Sequence, residues 1–283
     1  MPRFEPLASA DDPRFAPYRD LRDRDARARG EEEAGNEGGH EGSFIAEGEV
    51  VLRVLLGRAP ERVRSVLLLD KRRAGLDEAL GALGPDVPVY TAPEAVMSAV
   101  VGFPIHRGVL ALASRGPSRA PSALLAGLPE TSLVVGVCGV TNHDNVGGVF
   151  RNAAAFGADA VLLDGASCDP LYRKAIRVSV GASIAVPFAR GGGELALVRG
   201  LLDAGYAVFA LTPRGALDVA ALAPSDVPAR SALVVGAEGA GLAAETMALA
   251  RGLRVTMAPG WDSLNVAVAC GIGLHALRAA RRA

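Results

Sequence analysis

Residues 131–140, TSLVVGVCGV, form a nearly unbroken apolar run of strand length. A strand that is apolar at successive positions is the kind buried on both faces of a parallel sheet, which needs helices above and below it. The downstream sequence supplies them in alternation: helix NVGGVFRNAAAFG, strand ADAVLLD, a helix around YRKAIRVSVGA, strand SIAVPFAR and helix GELALVRGLLDAG. Strands YAVFALTP and SALVVGAEG follow, then a short helix near AAETMALA, strand LRVTMAP and a C-terminal helix in SLNVAVACGIGLHALRAARR. This order predicts an α/β domain over residues 131–283, an open and mostly parallel sheet flanked by helices.

The chain's 283 residues suit two domains. Upstream, SFIAEGEVVLRVLLG reads as strand then helix, VRSVLLLDKR as a buried strand, LDEALGAL as a helix and VPVYTA as a strand. PEAVMSAV, with Pro93 near its start, reads as a helix and GVLALASR as a strand. Residues 43–115 are therefore expected to form a small α/β domain, and the proline-rich 116–130 a linker. Residues 1–42, dense in mixed charge and ending in AGNEGGHEG, are expected to be a polar, partly disordered segment. No apolar run reaches the ~18–20 residues of a membrane span, and no secretory h-region opens the chain. Cys138, Cys168 and Cys270 form no CxxC pair and His40, His106, His143 and His275 no ligand spacing, so no metal is expected. A cytoplasmic protein is the expectation. Net charge is −1, and only Lys71 and Lys174 are lysines among 30 basic residues. A general arginine bias explains that better than nucleic-acid binding does.

Three loops rich in Gly, Asn and Ser follow apolar strands, at 140–159, 233–242 and 255–269. Ligands of open α/β sheets sit outside the carboxyl ends of strands. None of the loops matches GxGxxG with its acidic partner or GxxxxGK[ST], and no GxSxG elbow appears. Taken singly, each polar residue has an ordinary explanation. Asn142 and Asn145 suit turns and caps, Ser263 suits an N-cap, and Arg151, six residues past Asn145, suits a surface arginine. Glu238 between Gly236 and Gly239 suits an exposed turn. Asn265, expected one turn inside the last helix, needs partners there.

Together the loops resemble the three signature motifs of the SpoU/TrmH branch of the SPOUT superfamily, RNA ribose 2′-O-methyltransferases. The first is Asn142…Asn145-Val146-Gly147-Gly148…Arg151 with Ala155-Phe156-Gly157. The second is Val235-Gly236-Ala237-Glu238-Gly239. The third is Val255-Thr256-Met257 with Ser263-Leu264-Asn265-Val266-Ala267-Val268-Ala269. FIAEGEVVLRVLL resembles part of the family's N-terminal RNA-recruiting, L30e-like domain. Thr256 departs from the proline many members carry there, and EEEAGNEGGHE resembles an insertion, expected to be disordered.

The resemblance implies a C-terminal stretch threaded into a deep trefoil knot, a homodimer and S-adenosyl-L-methionine as cofactor. It implies contacts to that cofactor from Leu211, Thr212, Gly236, Val255, Met257 and Leu264. It implies that Arg151 handles the ribose 2′-hydroxyl from the other subunit. A guanidinium does not readily lose its proton, so Arg151 is expected to anchor phosphate and orient the hydroxyl, with phosphate, water or a deprotonated minority form taking the proton. Glu238 and Asn145 would hold Arg151 and substrate; Ser263 and Asn265 would order the knot loop and touch the ribose. The expected partner is RNA, rRNA ahead of tRNA. The competing readings are a catalytically silent knotted RNA-binding protein, which has no need of all five polar residues, and a nucleotide-dependent oxidoreductase.

Overall fold

In a computed structural model, which describes residues 3–19, 21 and 42–282, the apolar runs become strands of two separate sheets. The chain divides into two units, Met1–Pro117 with Leu171–Ala185, and Ser118–Pro170 with Val186–Ala283.

The first unit contains β1 (Arg3–Pro6), β2 (Ser43–Glu47), α1 (Glu49–Arg58), β3 (Val63–Leu69), α2 (Asp77–Leu80), β4 (Pro88–Ala92), α3 (Glu94–Val101) and β5 (Val109–Ser114). Its five strands are ordered β1-β4-β3-β5-β2, with parallel β1–β4–β3 and antiparallel pairing of β5 to β3 and β2. The expectation of a solvated segment over residues 1–42 fails at its start. β1 extends the sheet, and Leu7, Phe15, Tyr18 and Leu21 are buried in one core with Leu67, Met97 and Val101. The Tyr18 hydroxyl pairs with Ser65 Oγ at 2.7 Å, and burial raises its pKa. Widely spaced apolar residues among charges hid this core contribution. The EEEAGNEGGHE stretch lies outside the described residues.

The second unit contains α3's successor in the chain, α4 (Pro121–Ala126), then β6 (Ser132–Val137), α5 (His143–Ala155) and β7 (Ala160–Leu163). The chain then passes through α6 (Arg173–Val178) and α7 (Ala182–Ala185), which belong to the first unit, where Arg173 pairs with buried Glu47 at 2.7 Å. It returns as β8 (Phe188–Arg190), α8 (Glu194–Asp203), β9 (Ala207–Leu211), β10 (Leu217–Asp218), β11 (Arg230–Val235), α9 (Ala244–Leu249), β12 (Arg251–Arg254) and α10 (Val266–Arg282). Three sequence expectations are corrected here. The 116–130 linker contains α4, whose Leu124 and Leu125 enter the second core. SIAVPFAR is a helical turn and a short strand rather than one strand. The 131–283 block is interrupted, because 171–185 packs with the first unit.

The seven strands are all parallel, in the order β10-β12-β9-β11-β6-β7-β8. β6 is buried at every position, as its composition demands. β11 is inserted between β6 and β9, and β12 between β9 and β10. Residues 212–216, joining β9 to β10, lie against β12: Thr212 N–H donates to Leu253 C=O at 3.0 Å and Arg254 Nη1 to Gly215 C=O at 2.9 Å. The carboxyl ends of β9, β11 and β12 thus meet on one side of the sheet.

Candidate active site

At that meeting point lies a cleft of about 650 Å³. Its walls come from the segment after β9 (Leu211, Thr212, Arg214), the turn after β11 (Gly236, Glu238) and the segment after β12 (Val255, Met257, Ser263, Leu264). All six residues singled out for cofactor contact line it, together with Glu238 and Ser263. Arg151, Asn145 and Asn265 are not among its lining residues.

The turn after β11 reverses tightly. Gly241 N–H donates to Ala237 C=O at 3.0 Å, and a Cβ on Gly236 would stand 2.5 Å from Gly241 C and 2.7 Å from Leu242 N. The 241–242 peptide leaves no room for it, so glycine is required. The result is a wall of bare peptide groups facing apolar side chains. Such a surface suits a ligand with a flat heteroaromatic ring, whose edges hydrogen-bond backbone and whose faces need apolar cover.

Beside the cleft is a polar cluster. α5 opens at His143, with Asn142 as its N-cap accepting from Asp144 N–H at 2.8 Å. Asn145, expected to open the helix, is instead in its first turn and 5% exposed. Its Nδ2 donates to Glu238 Oε1, and its Oδ1 accepts from Asn265 Nδ2 at 2.8 Å. Asn265 was expected inside the last helix and Ser263 at its cap. The helix begins later, at Val266, so Asn265 is the capping residue, its Oδ1 accepting from Ala267 N–H at 3.0 Å and Val268 N–H at 3.2 Å. Ser263 stays on the cleft wall. One residue from each of the three loops therefore meets at Asn145.

Arg151 is not part of this cluster within the chain. It is exposed on α5 and makes no hydrogen bond or ion pair among the described residues. Six residues beyond Asn145, it lies ~9 Å along the helix axis and points roughly 120° away. Within the chain, Glu238 engages Asn145.

Thr256 has a counterpart the sequence did not reveal. Its Oγ1 donates to Asp218 Oδ2, and Arg254 Nε lies 3.3 Å from the same oxygen. The Thr256 hydroxyl, the Ala220 N–H and the Arg254 charge hold the Asp218 carboxyl below the usual range. This tie fixes the segment between Val255 and Met257, both on the cleft wall. Among the described residues, no group of three or more His, Cys, Asp or Glu side chains could hold a metal ion, and no helix is long and apolar enough to cross a membrane.

The second unit is an open α/β domain with an all-parallel sheet, its cleft at the carboxyl ends of β9, β11 and β12. Residues 132–275 match the model of the SpoU rRNA Methylase family. An uncharacterized tRNA/rRNA methyltransferase of Mycobacterium tuberculosis is 36% identical over 276 residues, covering 95% of this chain and 90% of the relative. The 23S rRNA (guanosine-2′-O-)-methyltransferase RlmB of Escherichia coli K12 is 32% identical over 231 residues, covering 79% of this chain and 93% of its own. An AdoMet-bound rRNA methyltransferase from Sinorhizobium meliloti superposes with a TM-score of 0.75 at 25% identity, over 98% of both chains. The chain belongs to the SpoU methyltransferase family.

Proposed function

We propose that this protein transfers a methyl group from S-adenosyl-L-methionine to the ribose 2′-hydroxyl of an RNA nucleotide, in rRNA rather than tRNA. The observation that carries the reading is the convergence of three motif loops on one cleft, with their polar residues joined through Asn145. The guanosine-2′-O specificity of the RlmB relative supports the acceptor, and the AdoMet-bound structure supports the donor.

The cleft fits the cofactor by its chemistry: peptide groups around Gly236 for the adenine edge, and Leu211, Val255, Met257 and Leu264 for its faces, with Thr212 beside them. When bound, S-adenosyl-L-methionine supplies an electrophilic methyl on a sulfonium. The chain's own task is alignment. Glu238 accepts from Asn145 and fixes its amide; Asn265 fixes the other side, so both present defined groups to the ribose. Ser263, on the cleft wall before α10, would meet the ribose. Arg151, which stays protonated, holds a phosphate and the 2′-hydroxyl oxygen, freeing that hydroxyl's proton for phosphate or solvent.

Because Arg151 lies outside its own chain's cleft, the reading includes a homodimer in which it serves the partner's site. The exposed Val268 and Ile272, four residues apart on α10, supply an apolar face for that contact. The reading also includes the trefoil knot, supported by β12 lying between β9 and β10 beneath the 212–216 connection, and an RNA-recruiting, L30e-like role for the first unit. No metal is required, and the site of action is the cytoplasm, where ribosomes are made.

The test is transfer of tritiated methyl from S-adenosyl-L-methionine to total RNA, followed by alkaline hydrolysis. Label in alkali-resistant dinucleotides is expected, since a methylated 2′-oxygen cannot attack its phosphate. Label only in mononucleotides, as base methylation would give, overturns the proposal.

A further inference from the structure

Trp261 is the chain's single tryptophan, and 76% of it is exposed. It stands at the end of a tight turn, Ala258-Pro259-Gly260-Trp261. Trp261 N–H donates to Ala258 C=O at 3.2 Å, and Gly260 has φ +87°. Proline at the second position, a left-handed glycine at the third and the closing hydrogen bond define a type II turn. The indole is thus carried on a preset backbone, not on a slack loop. Its neighbours Met257, Asp262 and Ser263 line the cleft, whereas Trp261 does not, so the ring stands outside the rim. Arg214 lines the same cleft, and its guanidinium has no hydrogen-bond or ion-pair partner among the described residues.

We propose that Trp261 is a stacking platform for a nucleobase of the RNA held at the cleft mouth, with Arg214 supplying positive charge for the adjoining phosphate. The inference rests on the RNA methyltransferase reading above. Loops and single strands of RNA present unstacked bases, and a nucleotide drawn from its helix into a cleft loses stacking that an aromatic side chain can replace. An indole face does this for any base, because every base has a π-face. A rigid carrier lowers the ordering cost of the contact. A ring closing over the cofactor itself would line the cleft, which Trp261 does not.

A single tryptophan makes the test direct. The full-length protein, loaded with the non-reactive product S-adenosylhomocysteine, is titrated with a 12-nucleotide uridine RNA and with a 12-unit abasic phosphate oligomer of equal charge. Binding is followed by anisotropy of a labelled oligomer and stacking by indole emission. Stacking predicts saturable quenching by the RNA and none by the abasic oligomer. Trp261→Ala should weaken RNA binding by roughly 5- to 150-fold, as expected for one base–aromatic stack, and leave abasic binding unchanged. Trp261→Phe should restore most of the affinity. The proposal is overturned if RNA saturates without quenching, if the abasic oligomer quenches equally, or if Trp261→Ala converts a dimer to a monomer, which would assign the ring to a second copy. These arms need no turnover. Failure of the enzymatic reading would show separately, as absent methyl transfer with quenching intact.

Discussion

Asn265 Nδ2 donates to Asn145 Oδ1 at 2.8 Å across 120 positions of sequence, while Asn265 Oδ1 caps α10. One side chain thus does two separable jobs. Asn265→Ala loses both and should cost about 1–2 kcal/mol in urea unfolding for the lost cap by itself. Asn265→Asp keeps an oxygen for the cap but has no amide to donate, and it sets a second carboxylate near Glu238. It keeps the cap, because Asp and Asn cap equally well, so its stability loss should come from the unpaired Asn145 amide alone, about 1–3 kcal/mol, while methyl transfer falls at least as far as in the alanine variant. Equal activity of Asn265→Asp and wild type would remove the Asn145 contact from the site's function.

Gly236→Ala places a methyl carbon 2.5 Å from Gly241 C. Both neighbours are backbone, so the turn must open rather than a side chain rotate. Overpacking of this kind costs about 1–3 kcal/mol, and the displaced peptide groups are those assigned to the adenine edge. Calorimetric titration should show cofactor affinity reduced by more than about tenfold, which is 1.4 kcal/mol, in protein whose circular dichroism remains folded.

Thr256→Val removes the hydroxyl that holds Asp218 while keeping the side chain's shape. The Asp218 pKa lies below its ordinary value in the folded protein. Its contribution to holding the segment is therefore present above the unfolded carboxylate value and is lost as pH falls through the folded one. An NMR titration should show the Asp218 carboxyl moving up toward the ordinary range in Thr256→Val, with cofactor affinity at neutral pH weakened several-fold. An unchanged titration would mean that Ala220 and Arg254 alone set its ionisation.

The parallel sheet was legible because β6, β9 and β11 are apolar at consecutive positions, a pattern that only two-sided burial explains. The cleft was legible because its walls sit immediately after those strands. What escaped was set by distance or dilution. Phe15 and Tyr18 reach the first core from a segment whose charges outnumber its apolar residues. Asp218 lies 38 residues from Thr256, and nothing in the spacing joins them. The start of α10 was misread because Ser263 and Asn265 are both good caps; the choice between them depends on Asn145, which arrives from another loop.

Arg151 supplies the test of assembly. It lies outside the cleft of its own chain, so in a two-fold dimer each complete site would combine a cleft from one chain with Arg151 from the other. With S-adenosyl-L-methionine held well below the weakened affinity of Gly236→Ala, that variant and Arg151→Ala should each be nearly inactive as pure dimers, the second with cofactor affinity intact. Denatured together in equal amounts and refolded, they should form hybrids in half of the dimers. Each hybrid would contain one site with a sound cleft and a sound arginine, giving about a quarter of the wild-type rate from random pairing of a C2 dimer. If Arg151 acts within its own chain, every site in the mixture carries one lesion, and refolding restores no activity.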